Sequence, residues 1–480
     1  MSDTGVTVKK NQDFSQWYVE VVLKAGLADY APVKGCMIIR EDAYAIWEKI
    51  QEILNSKIKA TGHRNVYFPM FIPEAFLKKE AEHFEGFTPE VAWITQGGDT
   101  PLEEKLAVRP TSETIMYATF SKWIRSWRDL PMKINQWCNI VRWETKATKL
   151  FLRTREFLWQ EGHTAHATSE EAEAEVMYAL KEYKDIMENY LAIPVLVGVK
   201  SESEKFAGAL YTTALEAIMP DGKALQMGTS HNLGQHFAKV FDIKFVGEDK
   251  QDHYVWQTSW GITTRLIGAM IMVHGDDKGL VLPPKVAPIH VVIVPIMFKG
   301  VEAEAINTKA KEISEKLKSN GLNVVFDCRQ EYTPGWKFNQ WELKGVPIRI
   351  EIGPRDLKQG QVVMVRRDTG QKSPVKEADI PITVERLLQE IHDNMFAKAK
   401  TLLQDKTTAI KNYDEFKKTL EEKGGFLKAA WCGSTACETK IKEETSCTIR
   451  VCPFQKEEPT DGCVYCGQKA NETVYFARSY

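Results

Sequence analysis

Residues 40–63 read REDAYAIWEKIQEILNSKIKATGH. Ile46, Ile50, Ile53, Leu54 and Ile58 recur at helical spacing and fall on one face, and Gly62 follows as a stop signal. The next stretch, NVYFPMFIPEAF, reads as a strand interrupted by Pro69. Proline cannot donate to a central ladder, so this strand belongs at an edge or a bulge. Between 134 and 164 two aromatic and β-branched runs flank a charged loop, the pattern of a long antiparallel hairpin. Residues 170–190 alternate as an acidic amphipathic helix. ALQMGTSHNLGQHFAKVF continues the strands, and VWQTSWGITTRLIGAMIMVHGD reads as a strand followed by a buried helix.

The pattern breaks at VLPPKVAPIH, residues 281–290, where three prolines mark a domain boundary. Beyond it, apolar runs such as HVVIVPI and VPIRIEIG alternate with helical segments, the rhythm of an α/β domain with largely parallel strands. A long charged helical region over 382–423 leads into a cysteine-rich tail. The expected units are 1–284, 285–400 and 401–480.

Composition narrows the class. A chain of 480 residues is too long for one core. With 43% hydrophobic and 27% charged residues it is an ordinary globular chain. Lys+Arg 63 against Asp+Glu 65 leaves a net charge of −2, so nucleic acid would be held by local basic stretches and not by a global field. The N-terminus lacks the apolar segment of a signal peptide, and no run approaches the roughly 20 apolar residues of a membrane span. The scattered cysteines suit a reducing compartment. The expectation is a cytoplasmic protein with no membrane association.

Several side chains fall where chemistry needs them. Trp159, Glu161 and His163 alternate on the second hairpin strand, so they share one face. A Glu and a His there are costly to bury unpaired, which favours a polar pocket over a packed core; a solvated outer face is the other reading. In LAVRPTSETIMY, Thr111 and Glu113 read locally as a helix cap. QMGTSHNLGQHF offers Gln226, Thr229 and His231, and a single histidine such as His231 reads first as structural. Arg265 lies inside an otherwise apolar helix, where a guanidinium needs an anion, either a carboxylate or a phosphate. In the tail, Cys432–Cys437 and Cys463–Cys466 have spacings that suit Zn²⁺ held by four thiolates. Such a closed site is structural. Cys447 and Cys452 repeat the first spacing, so spacing alone leaves the choice of four open.

Together these segments resemble the class II aminoacyl-tRNA synthetases and, among them, the prolyl-tRNA synthetases. The helix and the proline-bearing strand around Pro69 are similar to the first class motif, which lies at the dimer interface. IVRWETKATKLFLRTREFLWQEGH resembles the second motif and TSWGITTRLIG the third, while RPTSE and QMGTSH resemble prolyl-specific signatures. The terminal FARSY also matches the family, in which Tyr480 tucks back towards the catalytic domain. The likeness spans essentially the whole chain.

It implies an α/β multidomain protein: an antiparallel-sheet catalytic core, an α/β anticodon-binding domain and a small zinc-containing C-terminal α/β domain. The implied activity is ATP-dependent activation of L-proline and transfer of prolyl to the 3′ end of tRNA(Pro) by a homodimer. Arg142 would bridge the amino-acid carboxylate and the α-phosphate, and Arg265 would hold the far phosphates. Glu144 and Thr154 would approach the adenine, and Gln226, Thr229 and Thr263 the ribose and phosphates, with Mg²⁺ accompanying the ATP. Thr111 and Glu113 would take the proline ammonium, and Trp159, Glu161, His163, His231, Phe206 and Ser259 would shape the pocket. The resemblance also favours Cys432, Cys437, Cys463 and Cys466 as the zinc set. Phe338, Glu342, Arg349 and Arg355 would read the two guanines of the anticodon; an ion-pair network on the domain face is the alternative. Bacterial relatives carry a large editing insertion between the second and third motifs. Only residues 165–225 separate EGHTAH from LQMG here, as in the archaeal and eukaryotic type. Two rivals stand beside this reading: a synthetase-like protein that binds tRNA without catalysis, and a sister synthetase for threonine or histidine.

Overall fold

The computed structural model describes residues 5–81, 90–143, 147–296 and 301–480. Its centre is an eleven-stranded sheet among the described residues. The expected hairpin forms: Met132–Val141 pairs antiparallel with Glu156–His166 along its whole length. Trp256–Thr263 adds to the second of these strands, followed by Ala224–Gly234, Tyr211–Ile218 and Leu196–Val199, all antiparallel. The helices Glu41–Ala60, Ser169–Asp185 and Arg265–His274 bury their apolar stripes in one cluster that includes Trp47, Tyr183 and Trp260. Arg265–His274 is apolar almost all round, and Leu266 to Met272 are all buried, as a helix inside a large core must be.

Gly162 shows how closely the layers meet. It pairs with Trp260 across the sheet, and a Cβ there would lie 2.2 Å from the Trp260 ring. The glycine between Glu161 and His163 is therefore a packing requirement.

Pro69 splits its segment in two. Arg64–Asn65 pairs parallel with the hairpin at the sheet's edge, while Phe71–Pro73 joins a separate three-stranded sheet. Residues 291–376 form a second, five-stranded sheet. Val324–Phe326, Val291–Pro295 and Ile348–Ile352 are parallel, but Gln361–Arg366 and Lys372–Lys376 add antiparallel. The sheet is therefore mixed, because its last two strands return through short connections, the first holding only the six-residue helix Pro354–Gln359, too short for a parallel crossover.

The region 382–423 is not one helix. Ile380–Asp405 ends, the strand Thr407–Ile410 intervenes, and a new helix runs Tyr413–Glu422. The tail is an α/β unit whose strand Thr448–Pro453 pairs with Leu196–Val199. The C-terminal strands thereby continue the central sheet.

Candidate active site

Strand register assembles the site. Thr212, His231, Ser259 and His163 lie opposite one another across four neighbouring strands. Two residues along, Thr229, Gly261 and Glu161 form a second row, and Thr263 faces Trp159. Alternation points one row after another to the same face. A cavity of about 290 Å³ opens above that face. Thr111, Glu113, Trp159, Glu161, His163, Phe206, His231 and Ser259 line it. So do Arg142, Thr154, Gln226, Thr229, Thr263 and Arg265. Glu144 lies outside the described residues.

Thr111 is not a helix cap. The helix starts at Glu113 behind Ser112, whose side chain makes no capping bond, and the Thr111 hydroxyl instead donates to the Glu113 carboxylate. Glu113 is buried at 4% exposure. Glu161 is held more tightly: Ser112 Oγ donates to it at 2.6 Å, Gln136 Nε2 at 2.9 Å, and His163 Nε2 lies 2.9 Å away. Tyr117 Oη stands 3.1 Å from the other ring nitrogen of His163. Burial alone would raise the Glu161 carboxyl, but the bonds from His163, Ser112 and Gln136 outweigh it and hold it below the usual range. His163 is pushed down by burial and, more strongly, up by Glu161 and Glu113, so its net shift is upward. The pair is an internal ion pair that fixes the floor of the cavity. Sequence pattern places Glu161 and His163 on one face but gives no sign of Ser112 or Gln136, which arrive from distant segments.

His231 behaves differently. Burial and the neighbouring charge of His163 depress it to about 3, so it is neutral. Its Nδ1 lies 2.8 Å from Thr212 Oγ1, and its ring packs 4.8 Å from Phe206. Together they make an apolar, flat wall. Ser259 Oγ is buried with no hydrogen-bond partner among the described residues.

The arginines form the second half. Arg142 donates from Nε to the Pro110 carbonyl at 3.1 Å and lies over the rings of Phe157 and Trp159. Arg265 donates to the Leu152 carbonyl at 3.2 Å and the Gln226 carbonyl at 3.4 Å. No carboxylate among the described residues pairs with it. Burial, with the like charges of Arg142, Arg450 and Arg153, depresses it to about 10. Arg153 also lines the cavity, and the Glu216 carboxylate opposes these like charges at Arg265. An anion with several negative charges is what such a cluster attracts.

In the second unit, Arg349 is buried and bonded to Glu351 at 3.0 Å and Glu342 at 3.2 Å, with Phe338 stacked 4.3 Å from its guanidinium carbon. Phe338, Glu342 and Arg349 thus come together, already engaged with one another. Arg355 is exposed on the short helix Pro354–Gln359 and makes no hydrogen bond or ion pair with them.

In the tail, the Sγ atoms of Cys432, Cys437, Cys463 and Cys466 lie within 4.8 Å of one another. Cys432 is 3.6 Å from Cys437 and 3.9 Å from Cys466. Tetrahedral thiolates at a Zn–S distance of about 2.3 Å stand about 3.8 Å apart, so the cluster fits. Cys447 and Cys452 are not part of it.

Residues 94–274 match the class II core domain of tRNA synthetases (G, H, P, S and T), 290–389 an anticodon binding domain, and 413–480 the prolyl-tRNA synthetase C-terminal domain. The proline–tRNA ligase of Natranaerobius thermophilus is 57% identical over 474 residues, covering 98% of this chain and 97% of the relative. This chain belongs to the proline–tRNA ligase family. The proline–tRNA ligase of Cenarchaeum symbiosum is 53% identical over 476 residues, covering 99% of each chain. Proline–tRNA ligase 2 of Clostridioides difficile is 54% identical over 472 residues, covering 98% of this chain and 97% of the relative. Proline–tRNA ligases colinear with this chain therefore occur in bacteria as well as in an archaeon.

Proposed function

We propose that this chain activates L-proline with ATP and transfers the prolyl group to the 3′ end of tRNA(Pro). The observation that carries the reading is one cavity in which Arg142, Arg153 and Arg265 meet a carboxylate-bearing pocket with flat walls. Arg142 bridges the proline carboxylate and the α-phosphate. Arg265 takes the outer phosphates of ATP, which enters as its Mg²⁺ complex. Thr154 and Glu144 approach the adenine, and Gln226, Thr229 and Thr263 the ribose and phosphates. The proline carboxylate attacks the α-phosphorus and pyrophosphate leaves. No protein nucleophile is needed, so catalysis rests on alignment and charge stabilisation at phosphorus.

Glu113 is the acceptor for the secondary ammonium. Its one oxygen is taken by Thr111, and the other carries no bond from the described residues. Glu161 is fully engaged, so it orients His163 and the pocket floor. Trp159, Phe206 and neutral His231 supply walls for the ring, and Ser259 a spare hydroxyl. A pocket of this kind discriminates by shape, worth about 1–3 kcal/mol per methylene, so alanine and cysteine are rejected incompletely.

In the second unit Phe338, Glu342 and Arg349 read the anticodon guanines by exchanging their mutual bonds for base edges, and Arg355 contributes an exposed cation. The four tail cysteines hold a structural Zn²⁺. The units are 1–284, 285–400 and 401–480, and the enzyme works in the cytoplasm; no helix among the described residues is long and apolar enough to cross a membrane. A homodimer forms through the face bearing Tyr67 and Trp123, which are 73% and 48% exposed. Arg109 links that face to the site: its guanidinium stacks on Tyr67 and holds the Phe68 and Asn139 carbonyls, and Thr111 follows two residues on.

Prolylation of a tRNA(Pro) transcript tests the reading, and its complete absence would sink it.

A further inference from the structure

We infer that the loop and helix start around Tyr332 form a stacking platform for an unpaired RNA base, separate from the Phe338–Glu342–Arg349 cluster. Tyr332 and Trp336 stack with ring centroids 3.7 Å apart and planes 10° from parallel. Tyr332 is 38% exposed. Trp336 beneath it is half-buried, and an aromatic stack with one ring open to water is costly unless something keeps it there. Here a built frame does so.

The frame is ionic. Arg329 donates to Asp327 from Nε at 2.8 Å and from Nη2 at 2.6 Å, and also to Gln340 Oε1 at 2.6 Å. Trp341 Nε1 donates to the same aspartate at 2.8 Å. Thr333 caps the helix Pro334–Leu343, and Pro334 fixes its first turn. The two rings therefore do not have to be ordered when a ligand arrives, which lowers the cost of binding.

The position of Arg329 leaves the stack open. Its guanidinium carbon is 5.1 Å from the Tyr332 centroid and 5.5 Å from that of Trp336. Nearly equal distances to two rings so close together place it beside the stack, not on top of it. Among the described residues no ring or cation covers the outer face of Tyr332. Arg329 Nη1 likewise has no acceptor among them, so a donor lies at the edge of the platform. A third flat ring can extend the stack and offer that donor a base acceptor or a phosphate oxygen.

The occupant is a nucleobase of a single-stranded loop. These residues fall inside the match to an anticodon binding domain. Trp336 lies on the same helix as Phe338 and Glu342 but about 200° round from Phe338. The platform thus takes a loop base other than those read by Glu342 and Arg349. This rests on the tRNA-ligase reading above.

The test is prolylation kinetics on tRNA(Pro) transcripts carrying single abasic positions through the anticodon loop. Wild type, Tyr332→Ala and Tyr332→Phe are compared, with proline-dependent pyrophosphate exchange and thermal melting as controls. Tyr332→Ala is expected to raise KM for tRNA about tenfold, leaving exchange and melting unchanged, while Tyr332→Phe retains wild-type values. One abasic position should cost wild type about tenfold and cost Tyr332→Ala nothing more. An unchanged KM in Tyr332→Ala, or losses that simply multiply at every position, overturns the platform while leaving prolylation intact. A proline-rich peptide that binds wild type and not Tyr332→Ala, with tRNA kinetics unmoved, overturns it too. Wild type that fails to prolylate any transcript overturns the underlying reading instead.

Discussion

Arg450, on a strand of the C-terminal unit, donates to the fully buried carboxylate of Glu216 at 2.8 Å, on a strand of the central sheet. Lys200 Nζ reaches the same carboxylate at 2.6 Å. Around them Lys442 pairs with Glu204 at 3.0 Å, and Ser201 donates to Glu438 at 2.6 Å. The tail therefore grips residues 200–206, and Glu204, Lys205 and Phe206 line the cavity.

Removing that grip leaves a buried charge only half compensated, since Lys200 remains. Arg450→Ala should cost about 3 kcal/mol of stability, measured by urea unfolding. Because Arg450 also lies 3.8 Å from Glu204, which lines the cavity with Phe206, KM for proline should rise more than kcat falls. A variant with normal proline KM would show that the tail does not act on the pocket.

Arg265 is held by two backbone carbonyls, with the like charges of Arg142, Arg450 and Arg153 near it and the Glu216 carboxylate opposing them; the proposed role is to hold the outer phosphates of ATP. Arg265→Met should reduce pyrophosphate exchange by about 10²-fold or more while the melting temperature stays level or rises. A clear fall in melting temperature would mean the guanidinium is a structural element.

Local pattern carried the hairpin, the buried Arg265 helix and the Trp159–Glu161–His163 face, because each depends on residues close in sequence. It could not carry what distant contacts decide. The strand Thr407–Ile410 sits between two charged helices, and only its pairing with Phe426–Trp431 makes it a strand. Thr111 and Glu113 resemble a cap until Ser112 turns to Glu161, 49 residues away. The merging of tail and central sheet at Cys452 and Val199 has no local signal at all. Tyr332 and Trp336 are visible as aromatics four apart, but the exposure of Tyr332 on top of a half-buried Trp336 depends on the Asp327–Arg329 frame.

The tail has an apolar core of its own, including Phe416, Trp431 and Phe476, into which Cys437 and Cys463 are packed, and a metal bound by four thiolates can add on the order of 10 kcal/mol to its folding. One zinc per chain is expected by elemental analysis. Cys463→Ser should lose it and unfold the tail at a lower temperature, whereas Cys447→Ser and Cys452→Ser should keep it. Zinc lost in either of the latter would place a ligand elsewhere.

Burial depresses five histidines: His231 to about 3, His166, His274 and His392 to about 4, and His290 in the same direction. In the unfolded chain each titrates near 6.5. Between pH 6.5 and about 4 the unfolded state takes up protons that the folded state refuses, so stability falls as pH falls through that window. Each histidine contributes up to about 1.4 kcal/mol per pH unit. His163 opposes them, since its raised value makes its contribution full below 6.5 and lost as pH rises through the folded value. Five against one, the urea midpoint should drop steadily from pH 7 to pH 4.5. A flat or rising midpoint would contradict the neutral-histidine assignment.

The central claim is that the cavity selects proline through Glu113. ATP–pyrophosphate exchange measured with each of the twenty amino acids, on wild type and Glu113→Ala, tests it most directly. Strong exchange with proline, weak exchange with alanine and cysteine, and loss of the proline signal in Glu113→Ala are the expected results. Strong exchange with threonine or histidine in place of proline, or full proline exchange in Glu113→Ala, would contradict it.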